Sequence, residues 1–191
     1  DAADWDDMEK CMSMVRRLHQ SGITVAHSFD IRERISFYEK LCRSHGALLF
    51  EDYEEVKGWM DWLMDTLDSM ERPKCLCHID ANVDNFLFFE DGSVKLLDWE
   101  YAGMCDPVMD VSMCAIYSYY KEEDMERLFR LYLRREPSED ELFALYANAA
   151  LGGFLWCLWA VYKSILGDEF GEYTIIMYRY AKKYYRKLRK L

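Results

Sequence analysis

One short passage constrains this 191-residue chain more than any other: Asp91-Gly92, set between two apolar runs at 86–90 and 93–97 in a sequence otherwise patterned for helices. Asp-Gly between runs rich in Phe, Leu and Val signals a hairpin with a two-residue type I′ turn. That turn predicts that Glu90 faces Ser93, Phe88 faces Lys95, Phe86 faces Leu97 and, one step further, Asn85 faces Asp98. Directly opposed Cβ atoms lie about 4.5–5.5 Å apart, so an amide oxygen and a carboxylate would stand together as donors for a hard cation. The apolar strands predict a hairpin anchored in the core. Residues 75–77 read as a further short strand. Elsewhere the period is helical. In residues 4–19, Trp5, Met8, Met12, Val15 and Leu18 share a face, and helices are predicted at 31–43, 53–70, 108–120, 122–134, 139–165 and 171–190, with Pro73 ending the third. The chain is expected to be α+β and predominantly helical.

Reading back from Asn85, His78-Ile79-Asp80 and four further residues make H-x-D-x-x-x-x-N. This is the catalytic-loop spacing of kinase-type phosphoryl transfer, in which the Asp accepts the proton of the attacking hydroxyl and the Asn holds Mg²⁺. Asp98 stands where such a loop places its second metal ligand. A phosphoryl donor carries dense negative charge, Mg²⁺ takes oxygen ligands, and an alcohol needs a carboxylate within hydrogen-bond reach, which accounts for these residue types. His78 reads as a side chain that braces the loop rather than as a base.

A formal charge of −11 argues against a nucleic-acid binder. Seven cysteines, with neither repeated CxxC nor Cys/His metal spacing, fit reduced thiols in a cytoplasmic protein. The apolar run 149–162 is short for a membrane span and contains Gly152 and Gly153, so it reads as a buried helix. Six cations close the chain among tyrosines, Lys182, Lys183, Arg186, Lys187, Arg189 and Lys190. Their place at a helix C-terminus suits the helix dipole without a membrane contact.

The sequence resembles the choline/ethanolamine kinase family, within the aminoglycoside-phosphotransferase and protein-kinase-like group. The residues that carry the resemblance are Cys77-His78-Ile79-Asp80 through Asn85-Phe86-Leu87, Leu97-Asp98-Trp99-Glu100-Tyr101-Ala102-Gly103-Met104, Asp106-Pro107 and Asp110. Further matches to bacterial choline kinases lie at Phe29-Asp30-Ile31, at Phe154-Leu155-Trp156-Cys157-Leu158-Trp159 and from Gly167 to Tyr173. The resemblance implies the C-terminal lobe of a protein-kinase-like fold, phosphorylating choline with ATP as co-substrate and Mg²⁺ as cofactor. It implies Asp80 as base, Asn85 and Asp98 as Mg²⁺ ligands, Asp110 as a brace of the catalytic loop, and Tyr101, Trp156 and Trp159 around a trimethylammonium group. Such a group donates no hydrogen bond and is recognised by aromatic faces. By spacing alone, Trp156 and Trp159 fit a helix core better than a pocket.

The sequence departs from the family in two respects. Tyr117 stands where the family places an acid facing the cationic head, which keeps ethanolamine, an aminoglycoside or another small alcohol open as acceptor, and Tyr117 enters as a π face. A Gly-rich phosphate loop and a strand-borne ATP lysine are both missing. Residues 1–191 are therefore expected to form one lobe without its N-terminal nucleotide-binding partner, inactive alone, and a non-catalytic cation-binding lobe is the reading from a different class.

Overall fold

Asp4 accepts hydrogen bonds from the backbone of Asp6 and Asp7 and so starts helix α1 (Trp5–His19), and Asp30 caps α2 (Ile31–Ser44) in the same way. The computed structural model describes residues 1–47 and 50–190. It divides into two units: residues 1–29 with 72–145, and residues 30–71 with those from Tyr146 onward.

The first unit contains α1, four short strands and two further helices. The strands are β1 (Cys75–Cys77), β2 (Phe86–Phe88), β3 (Val94–Leu96) and β4 (Gly103–Cys105), and the helices are α4 (Val108–Tyr117) and α5 (Glu122–Leu133). The strands form two antiparallel ribbons, β1 with β4 and β2 with β3. α1 packs on α5, β1 and β3, burying Met8, Met12, Val15 and Leu18 of the predicted stripe and leaving Trp5 half-buried. β4 was not expected from the sequence. It pairs Cys75 with Cys105, Leu76 with Met104 and Cys77 with Gly103, and Gly103 is required there because a Cβ would meet the Phe29 backbone nitrogen at 2.8 Å.

The β2–β3 hairpin corrects the predicted register. Phe86 pairs with Leu96, Leu87 with Lys95 and Phe88 with Val94, one residue away from the two-residue-turn alignment. The cause is a three-residue loop. Gly92 N–H donates to the Phe89 carbonyl at 2.9 Å, Phe89 N–H to the Ser93 carbonyl at 3.0 Å, and Gly92 adopts φ +80°. A turn followed by a left-handed glycine inserts one more residue than a type I′ turn. The prediction of a core-anchored hairpin also fails in part: Phe86, Val94 and Leu96 are buried, whereas Leu87, Phe88, Phe89 and Leu97 are exposed.

The second unit is helical and consists of α2, α3 (Tyr53–Ser69), the greater part of α6 (Glu139–Ile165) and α7 (Tyr173–Leu188). α3 packs on α7. Gly153 on α6 lets α7 approach closely, since a Cβ there would lie 2.6 Å from the Met177 carbonyl oxygen. α6 is long and apolar enough to cross a membrane, but 83% of that stretch is buried within the protein, which suits a core helix. Many of the cations of α7 lie on aromatic rings. Lys182 covers Tyr178 and pairs with Asp52, Arg186 covers Trp59, and Lys187 covers Tyr146.

Candidate active site

The loop from β1 to β2 is held by one carboxylate. Asp110, fully buried on α4, accepts the His78 backbone N–H on Oδ2 at 2.8 Å and the Ile79 N–H on Oδ1 at 2.6 Å. His19 Nε2 lies 2.9 Å from Oδ2. The bracing has a local reason. Ile79 adopts φ +72°, a conformation that costs a β-branched residue about 1–3 kcal/mol and persists only where the surroundings enforce it. Ile79 is fully buried, and the next residue, Asp80, is half-buried. His78 fastens the other side of the loop: its Nε2 donates to the Leu97 carbonyl at 2.7 Å, and its ring meets Trp99 edge-on at 4.8 Å. With Nε2 donating, the remaining ring nitrogen, Nδ1, is enclosed by the protein without a hydrogen-bond partner.

Asn85 donates through Nδ2 to the Asp80 carbonyl and to Asp80 Oδ2, both at 2.9 Å. The Tyr117 hydroxyl bonds to the same carboxylate. Burial raises the Asp80 pKa above its ordinary 3.8; the hydrogen bonds from Tyr117 and Asn85 oppose this without cancelling it, and the charge of nearby Asp98 adds to the rise. Asp80 is thus more basic than a carboxylate in water.

Asn85 does not face Asp98 across the hairpin. The Leu97 N–H donates to the Asn85 carbonyl at 2.9 Å, so Leu97 is its partner. Asp98 follows, exposed and in the left-handed region at φ +58°, close enough for its charge to raise Asp80. A one-residue slip in a strand turns a side chain to the opposite face. Here a left-handed residue just beyond the ladder redirects the chain. The donor set suits Mg²⁺: two neighbouring carboxylates repel each other, and Asn85, bonded through its nitrogen, keeps its amide oxygen for a cation.

Tyr101 lies half-buried in the loop before β4. Tyr117 is engaged with Asp80, a role that its sequence position did not suggest. Trp156 and Trp159 lie in the second unit, edge to face at 5.9 Å and 85°. Trp156 is buried, and half-buried Trp159 meets Phe170 at 5.0 Å and has the Lys163 ammonium 5.9 Å from its ring. His19, the third group on Asp110, escaped the sequence reading because 91 residues separate the two and no local pattern links them.

Residues 6–146 match the phosphotransferase enzyme family. Protein LicA of Haemophilus influenzae is 25% identical over 180 residues, covering 87% of this chain and 52% of its own length. Ethanolamine kinase 1 of Mus musculus is 26% identical over 151 residues, covering 64% of this chain and 42% of its own. Among solved structures, the choline kinase LicA from Streptococcus pneumoniae superposes with a TM-score of 0.82 at 26% identity, over 94% of this chain and 63% of that one. The chain spans about half the length of the curated relatives it matches.

Proposed function

The chain belongs to the phosphotransferase enzyme family, in the kinase-like fold of choline and ethanolamine kinases, and from that premise we propose that it carries the acceptor-activating half of a choline kinase. The observation that carries the reading is Asp80, hydrogen-bonded by Asn85 and Tyr117, with the charge of Asp98 beside it, on a loop braced by Asp110. Asp80 takes the proton of the choline hydroxyl as its oxygen attacks the γ-phosphorus of ATP. The bond to the β-phosphate oxygen breaks, giving phosphocholine and ADP. The raised basicity of Asp80 favours this transfer, and the donors on it hold the carboxylate in place. Bound Mg²⁺ would be held by Asn85 and Asp98 and would neutralise charge on the phosphates.

Trp156 and Trp159, edge to face in the second unit, are aromatic faces of the kind that receive a trimethylammonium head. Residues outside this chain would supply the nucleotide-binding lobe, since the relatives are much longer and no Gly-rich phosphate loop occurs here. Orientation by both lobes is worth about 7–11 kcal/mol of a barrier, so residues 1–191 alone would turn over little ATP. The similarity to a mouse ethanolamine kinase, together with the commitment of Tyr117 to Asp80, keeps ethanolamine as the second acceptor.

The test is phosphotransfer from labelled ATP to choline and to ethanolamine, with the chain in its longest natural polypeptide. Asp80→Asn is expected to lower kcat by about 10²–10⁴-fold, and Asp98→Ala to abolish Mg²⁺-supported turnover. A fully active Asp80→Asn enzyme would refute the assignment.

A further inference from the structure

β1 has the sequence Cys75-Leu76-Cys77, and side chains two apart on a strand share a face. Cys105 is the register partner of Cys75 across the β1–β4 ribbon, which brings a third thiol to that face. α1 packs on β1 and ends at His19. The result is a dense soft-donor cluster. A ring nitrogen of His19 and the sulfurs of Cys75 and Cys77 all lie within 4.8 Å of one another. The Cys75 and Cys77 sulfurs are 3.8 Å apart, and the Cys105 thiol also bonds to Cys77.

These distances have a metal-site geometry. Tetrahedral zinc, with Zn–S bonds of about 2.3 Å, sets a sulfur–sulfur edge of roughly 3.75 Å. A disulfide needs about 2.05 Å, and residues two apart in an extended strand lie near the limit of its reach. The histidine ring is held at both nitrogens. Asp110 holds Nε2, the arrangement in which a carboxylate fixes a metal-bound imidazole, and leaves Nδ1, which has the Tyr132 hydroxyl at 2.9 Å for a cation to displace. The His19 side chain and Cys77 are buried and Cys75 is half-buried, so the cluster is enclosed except along one edge.

We propose that His19, Cys75 and Cys77 form a site for a thiophilic divalent cation, with zinc the expected occupant and a fourth position left for a ligand at the half-exposed Cys75 edge. Binding exchanges the thiol protons to solvent for the metal. The site would staple the end of α1 to the ribbon that leads directly into His78, and it shares Asp110 with the brace of the loop. It is separate from the oxygen-donor set of Asp80, Asn85 and Asp98, whose chemistry selects a hard cation.

The test uses the reduced 191-residue chain, stripped with a chelator and titrated anaerobically with cobalt and then zinc. Expected results are tetrahedral d–d and thiolate-to-cobalt charge-transfer absorption, displacement by about one equivalent of zinc, and alkylation of Cys75 slowed at least about tenfold by zinc. Cys75→Ser and His19→Gln should each weaken zinc binding by at least the roughly 10–100-fold that losing even an outer partner costs. The alkylation rate is read on the unmodified chain and stands even if a variant fails to fold. Absence of thiolate charge transfer, unaltered Cys75 alkylation with zinc, or equal zinc affinity in a folded Cys75→Ser chain would overturn the proposal.

Discussion

Asp110→Ala isolates the claim that one buried carboxylate shapes the candidate catalytic loop. The substitution removes the acceptor of the His78 and Ile79 backbone N–H groups and of His19 Nε2, all within 2.6–2.9 Å of the carboxylate. A buried donor left without a partner costs about 1–3 kcal/mol, so three bound the loss at roughly 3–9 kcal/mol. Water entering the space vacated by the side chain moves the result toward the lower end, about 3–5 kcal/mol, a large fraction of a typical domain's stability. The left-handed Ile79 adds a second consequence, because without Asp110 it can relax to a negative φ and carry Asp80 away from Asn85. Urea unfolding followed by far-ultraviolet circular dichroism gives the stability, and amide exchange gives the site of the damage. The His78 and Ile79 amides should lose protection while those of α3, in the other unit, keep theirs. Asp110→Asn, which retains one acceptor oxygen, should fall between wild type and alanine. A loss below about 1 kcal/mol with both amides still protected would refute the reasoning.

Two further expectations concern the second unit. Burial opposes the charged form of Glu39, but hydrogen bonds from Lys57 (2.7 Å) and Arg43 (2.9 Å) overcome this and hold its pKa below the ordinary 4.5. A carboxylate with a lowered folded pKa contributes stability above its unfolded value and loses it as pH falls through the folded one. Melting temperature should therefore fall less steeply below pH 4.5 in Glu39→Gln than in wild type, and parallel acid limbs would contradict this. Gly153→Ala drives a methyl group against the Met177 carbonyl and the Tyr180 Cβ and should cost about 1–3 kcal/mol in denaturant unfolding; an unchanged midpoint would show that α7 shifts freely.

Much of the fold was legible because its signals are local. The Asp4 and Asp30 caps, the stripe of Met8, Met12, Val15 and Leu18, and the apolar run inside α6 each act within one element, and the observed boundaries of α1, α2, α3 and α6 lie within a residue or so of those expected. α4 stops at Tyr117 and not at residue 120, because Ser118 closes the helix and Tyr119 turns to positive φ. β4 was invisible: three residues, Gly-Met-Cys, carry no strand periodicity of their own, and only pairing with β1 makes them a strand.

The order of His78, Asp80, Asn85 and Asp98 along the chain, and hence the class of chemistry to look for, was determined by the sequence alone, since motif spacing within one loop is a property of covalent connectivity. Tertiary structure decided how those groups meet. Turn geometry at Gly92 shifted the hairpin by one residue, and a left-handed Asp98 redirected the chain beyond it. Tyr117 and Asp110 came to Asp80 and its loop from another helix. The same holds for the convergence of His19 with Cys75 and Cys77, residues more than fifty positions apart. Such meetings depend on how helices and ribbons pack, a collective balance of burial and hydrogen bonding that no short window of sequence contains.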